Sequence, residues 1–203
     1  MQVRMKNRKD QIITLALELL QTRGFDSFSY QDLSRELGIT KASIHHHFPK
    51  KVDLGVALCE SIKRWHDREY AKARAIDGGA LDKMNYYINT ALRTVCGIDK
   101  ICPLSSLHAD MATLPEEMIR VMKKLDVEEL EFMAELLQEG RDSGEFNFKG
   151  SIEAQAVLCV MIYKGALQYS RIHGDQIYID AMQQLNILLR GEQEAQGKSA
   201  RSA

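Results

Sequence analysis

The stretch GITKASIHHHFPKKVDL, Gly38 to Leu54, sets a glycine stop, a threonine cap, a short polar run and a proline break in direct succession. Gly38 can take the left-handed conformation that closes a helix. Thr40 can accept from an amide of the following first turn, so a short helix is predicted over Lys41 to His47. Within it only Ala42 and Ile44 are small or apolar. A helix of that composition cannot be mainly a core element. Thr40, Lys41, Ser43, His45, His46 and His47 instead supply donors suited to phosphate oxygens and to acceptor-rich base edges. Phe48, Pro49 and Lys50 then interrupt the run, and Lys51 starts a long helix that reaches about Ala75.

Upstream, Lys6 to Arg23 carries Ile12, Ile13, Ala16, Leu17, Leu19 and Leu20 on a broad apolar face and stops before Gly24. Ser29 stands three residues before Asp32, the spacing of a capping box, and Leu33 and Leu37 follow at i, i+4; a second helix is predicted over Tyr30 to Leu37. Two short helices across a glycine turn form the arrangement that places the second helix in the major groove of DNA. Downstream, helical spacing covers Ala80 to Cys96, Leu104 to Met111, Pro115 to Ser143, Ile152 to Ile172 and Gln176 to Leu189. Gly140, Gly144 and Gly150 mark a loop. With no alternating strand pattern, the expected fold is all-α.

The chain has 203 residues and a net charge of −1, which conceals an asymmetry. Residues 1–74 hold 14 Lys and Arg against 9 Asp and Glu, and residues 75–203 hold 13 against 19. A basic N-terminal part suits a polyanionic partner. No apolar run approaches the roughly 18 residues that span a bilayer, so no membrane association is expected. The basic start MQVRMKNRKD leads into an amphipathic segment rather than a signal peptide, and Cys59, Cys96, Cys102 and Cys159 lack metal spacing. The expected location is the cytoplasm. The three consecutive histidines do not suggest a metal site, because neighbouring helical residues point about 100° apart and cannot converge on one ion.

On these residues the chain resembles the TetR-type transcriptional repressors: Gly24-Phe25 after the first helix, Ser29 and Asp32-Leu33-Ser34 in the second, and above all the stretch from Gly38 to Leu54. The resemblance implies a helix-turn-helix DNA-binding domain over residues 1–52, a connecting helix over 53–74, a ligand-binding and dimerisation domain over 75–190, and a disordered tail over 191–203. It also implies DNA contacts from Ser29, Gln31, Thr40, Lys41, Ala42, Ser43, His45, His46, Lys50 and Lys51, with Lys51 beside the DNA backbone. Ala42 stands where the family often has glycine, and His45 where it often has tyrosine. The expected partners are a near-palindromic double-stranded operator, a second copy of the chain and a small-molecule effector; no cofactor, metal or catalytic residue is expected.

The family's last two long helices pair with a partner's. Val157, Met161, Gly165, Gln168, Met182, Leu185 and Leu189 are therefore expected at a dimer interface. Candidates for a ligand pocket are Trp65, Tyr86, Cys102, Leu104, His108, Met133 and Tyr163. Within ICPLSSLHAD, Ile101 to Asp110, Cys102 precedes a helix start, where unpaired amides stabilise a thiolate, so release from DNA by cysteine modification is a second expected route. A catalytic reading of Cys102 with His108 fails on spacing, because residues six apart do not share a helical face, and no third orienting group is present.

Overall fold

The computed structural model describes residues 7–97 and 100–191. Among these every regular element is helical: α1 (Arg8–Arg23), α2 (Tyr30–Leu37), α3 (Lys41–His47), α4 (Lys51–Arg74), α5 (Ala80–Asn85), a π-helical segment (Tyr86–Leu92), α6 (Arg93–Cys96), α7 (Pro103–Ala109), α8 (Glu116–Asp142), α9 (Ile152–His173) and α10 (Asp175–Arg190). The all-α expectation holds. The tail expected to be disordered lies, after Gly191, outside the described residues.

Local chemistry explains the boundaries. The Asn7 side chain accepts from the amide of Asp10, so α1 starts two residues later than the apolar pattern predicts. Ser29 and Asp32 form the anticipated capping box on α2. Gly38 closes that helix in the left-handed region, at φ 64°. The Thr40 hydroxyl accepts from the amide of Ser43 at 3.2 Å and starts α3. Between Ala80 and Cys96, the predicted single helix is instead α5 and α6 joined by the π-helical segment. Helical periodicity does not encode the extra residue per turn that distinguishes π from α geometry.

Packing divides the chain into two units, 1–68 with 99–126, and 69–98 with 127–203. The expected boundaries near residues 52 and 74 differ from this division, because residues 99–126 associate with the N-terminal helices. In the first unit Ile12, Ala16, Leu20, Phe28, Leu33, Ile44, Leu54 and Leu58 are almost fully buried and hold α1 to α4 around one core. A Cβ on Gly55 would lie 2.2 Å from the Met118 sulfur and 2.9 Å from the Phe25 ring, so both side chains would have to shift to admit one.

In the second unit, α9 and α10 pack along each other as a hairpin turned at Gly174. Tyr87, Phe132, Met133 and Tyr163 fill the interior around the buried Glu129. The Glu129 carboxylate accepts from Tyr163 Oη at 2.5 Å and Tyr87 Oη at 3.2 Å on one oxygen, and pairs with Lys164 Nζ at 2.5 Å through the other. Such an ion is tolerated only with its partners in place. Burial, followed by the nearby Glu129 charge, raises the Tyr87 hydroxyl well above the usual tyrosine range.

Candidate nucleic-acid interface

Ile44, completely buried, fixes the orientation of α3. The residues around it turn outward: Thr40, Lys41, Ala42, His45 and His46 are exposed, and Ser43 and His47 half-buried. Ahead of α3, the Ser34 hydroxyl donates to Ile39 O at 2.5 Å, fixing the glycine turn. Beyond it, Tyr30 Oη lies 2.9 Å from Phe48 O and 2.8 Å from Lys50 O and donates into that carbonyl pair. Tyr30 was missed as a site residue on sequence, because its partners are carbonyls brought near it only by folding. Burial and then the Asp53 charge push its hydroxyl up to about 12.

His45 packs edge-on against Tyr30 at 4.8 Å, and its Nδ1 lies 3.2 Å from Pro49 O. The Nδ1–H tautomer makes that bond and leaves Nε2 directed away from it. His46 and His47 stack edge to face at 5.3 Å. Among the described residues, no three His, Cys, Asp or Glu side chains are grouped to hold a metal.

Of the remaining expected DNA contacts, Gln31 and Lys50 are exposed. The Ser29 hydroxyl, also at the surface, is engaged with the Asp32 carboxylate at 2.7 Å. That bond is the main reason the Asp32 carboxyl titrates below its usual range. Lys51 departs from expectation. Its ammonium turns inward, donating to Phe25 O at 2.7 Å and lying over the rings of Phe25 and Phe28 at 4.6 and 5.0 Å. Burial lowers its pKa from the ordinary lysine value. The fold brings the two phenylalanines of the α1–α2 turn against the start of α4, where the lysine stem and ammonium can pack on them.

Residues 12–58 match the family of bacterial regulatory proteins of the tetR type. Over this N-terminal DNA-binding domain the chain is TetR-like. A TetR-family transcriptional regulator from Agrobacterium tumefaciens shares its fold with a TM-score of 0.83 and 25% identity, over 90% of this chain and 97% of that one. A TetR transcriptional regulator from Legionella pneumophila follows with a TM-score of 0.76 and 25% identity, over 92% and 100%. The nucleoid occlusion factor SlmA of Haemophilus influenzae is 30% identical over 59 residues, 29% of this chain and only 27% of that relative's length. TetR-like regulators bind DNA rather than catalyse. In this chain Cys102 is buried, and the exposed His108 pairs through Nε2 with Asp126 at 2.9 Å.

The ligand candidates do not gather in one unit. Trp65, Cys102, Leu104 and His108 belong to the first, and Tyr86, Met133 and Tyr163 to the second. Tyr86 donates to Glu69 at 2.7 Å, while Leu104, Met133 and Tyr163 are fully buried. All four cysteines are buried, Cys102 being 2% exposed. Burial pushes the Cys59 thiol up to about 11 and the Cys159 thiol to about 12.

The expected dimer residues also separate. Val157, Met161, Gly165 and Gln168 lie on an accessible stripe of α9 that continues to Tyr169 and Ile172. Met182, Leu185 and Leu189 face the interior instead, and the open apolar residues of α10 are Ile179, Ile187 and Leu188. The difference is one of helix rotation. α10 is apolar on two sides, and sequence spacing does not tell which side packs within the unit.

No described helix is long and apolar enough to cross a membrane.

Proposed function

We propose that the protein is a homodimeric, sequence-specific repressor that a small molecule releases from its operator. The single observation that carries this reading is α3, pinned by Ile44 and open on the face that bears Lys41, His45 and His46. Thr40, Lys41 and His46 read base edges, while His45 Nε2 and Lys50 meet phosphates. One helix this short reads too few bases for useful selectivity, so two copies engage half-sites about 34–36 Å apart on one face of the duplex. The apolar stripe on α9, joined by Ile179, Ile187 and Leu188, supports a second copy as the covering partner. Release by a small molecule is favoured over release by thiol chemistry, because Cys102 at 2% exposure is shielded from a reagent in solution. The effector acts only through a higher affinity for the released spacing of the two reading domains.

Selection of binding sites from random duplex DNA by the purified protein tests this reading. An inverted repeat of two similar half-sites is the expected outcome. Lys41→Ala or His46→Ala should then alter base preference at defined positions, by about 1–3 kcal/mol for a specific contact. Absence of any enriched sequence at low salt would overturn the proposal.

A further inference from the structure

The decapeptide ICPLSSLHAD and its neighbours are bound tightly to the end of α1. Ile101 and Gln21 exchange two hydrogen bonds: Ile101 N donates to Gln21 O at 3.2 Å, and Gln21 Nε2 donates to Ile101 O at 3.0 Å. Ser106 Oγ donates to Leu20 O at 2.6 Å, and Lys100 pairs with Glu18 at 3.0 Å. Thr113 Oγ1 donates to the Asp26 carboxylate. The last carbonyls of a helix have no partner inside it; in α1 Gln21 O takes the Ile101 amide, and Leu20 O takes the Ser106 hydroxyl beside the capping Gly24 amide.

The seam ends on Phe25. The Asp110 carboxylate accepts from Phe25 N at 2.6 Å, while Lys51 donates to Phe25 O at 2.7 Å. Both backbone polar atoms of one buried residue are thus held by charged side chains from two segments of the unit that lie far apart in sequence. Gly24 makes room for this. Its φ of 88° suits glycine, and a Cβ there would meet Asp110 Oδ2 at 3.0 Å. Lys51 in turn follows the Phe48–Lys50 turn that Tyr30 holds, so the C-terminal end of α3 runs directly into two successive anchors, the Tyr30 hydroxyl and the Phe25 carbonyl.

We propose that Asp110 is a positioning residue for DNA reading, acting with Lys51 through the backbone of Phe25 to set the pose of α3. The inference rests on the repressor reading above. Residues 100–113 are then part of the DNA-reading unit, and any event that withdraws Asp110 from Phe25 loosens the frame of α3 without touching its base-facing side chains. Lys51 is on this view an internal strut, not a phosphate contact.

The test uses the full chain and the duplex recovered by selection, with amide exchange read at Phe25. Asp110→Ala removes the acceptor, and Asp110→Asn keeps an oxygen in its place. Asp110→Ala is expected to speed exchange of the Phe25 amide and to weaken duplex binding about tenfold, since a charge-assisted hydrogen bond is lost. Asp110→Asn is expected to recover most of both. Lys51→Met, which keeps the stem over the two rings, should weaken binding with the salt slope unchanged, whereas loss of a phosphate contact lowers that slope by about one. The double variant Asp110→Ala with Lys51→Met should bind no worse than the weaker single one, because both act through Phe25. Should Asp110→Ala fail to fold, Asp110→Asn and Lys51→Met carry the same comparison. Wild-type affinity in Asp110→Ala despite faster Phe25 exchange overturns the proposal alone, as does a lowered salt slope in Lys51→Met. Failure of the unaltered protein to select any duplex overturns the repressor reading and this inference with it.

Discussion

Helices α3 and α10 each bury one face and leave the other open, and the open faces are chemically opposite. α3 is held by the single buried Ile44 and shows water Lys41, His45 and His46. α10 is held by Tyr178, Met182, Leu185 and Leu189 and shows Ile179, Ile187 and Leu188. A polar face rests in water at little cost, whereas apolar area left there forgoes about 25 cal/mol per Å² of burial. The first face therefore suits a hydrated, charged partner, and the second a partner that brings apolar surface of its own. In one helix the anchor is minimal and the open face is polar; in the other the anchor is extensive and the open face is apolar.

The sharpest way to break the contrast is to remove the anchors. Leu185→Ala and Ile44→Ala each delete a buried aliphatic group, and each is expected to cost about 2–5 kcal/mol in chemical denaturation. The two should then part in function. Ile44→Ala should also weaken duplex binding at temperatures where the protein remains folded, while Leu185→Ala should leave binding to the duplex close to normal. Equal loss of DNA affinity in both would show that α3 is not specifically oriented by Ile44.

A second test addresses the open apolar face. Met161→Glu combined with Ile187→Glu places charge on residues that are each 59% exposed, so the fold of the protomer should survive. Sedimentation should show conversion from dimer to monomer, with DNA affinity falling as two-site binding is lost. An unchanged mass would place the interface elsewhere. Leu185→Ala, inside the unit, serves as the contrasting control.

The smallest expected effect concerns the support behind α3. The Tyr30 hydroxyl is raised from 10.0 to about 12 in the folded protein, so folding favours its neutral form. Its contribution to stability is complete below pH 10 and is lost as the pH rises through about 12. Tyr30→Phe should flatten part of the decline in stability over that interval, measured by denaturant titration. It should also loosen the turn at Phe48–Lys50, read as faster amide exchange there. A pH profile identical to that of the unaltered protein would remove Tyr30 from this role.

Much of the reading unit was legible because its signals are local. The capping box of Ser29 and Asp32, the left-handed Gly38 and the Thr40 cap each act within about one helical turn, and the structure places α2 and α3 at the predicted residues. The polar content of α3 required no neighbour to interpret. Other features were illegible for a physical reason. Cys102 and His108 stood out in ICPLSSLHAD as reactive types, yet Ser106 and Asp110 make the bonds to α1. A serine or aspartate acquires such a role only from the orphan backbone groups that folding brings to it. The π-helical turn at Tyr86–Leu92 leaves no mark on the apolar spacing.

The sequence by itself therefore determined the helical class, the helix-turn-helix and the polar surface of α3, since capping, glycine conformation and amphipathic spacing operate over a few residues. Tertiary structure alone decided that Lys51 turns inward to Phe25, that residues 99–126 pack with the N-terminal helices, and that α10 buries Leu185 while leaving Ile187 open. Each of these depends on which distant groups come within hydrogen-bonding or van der Waals range, a relation that no spacing along the chain contains.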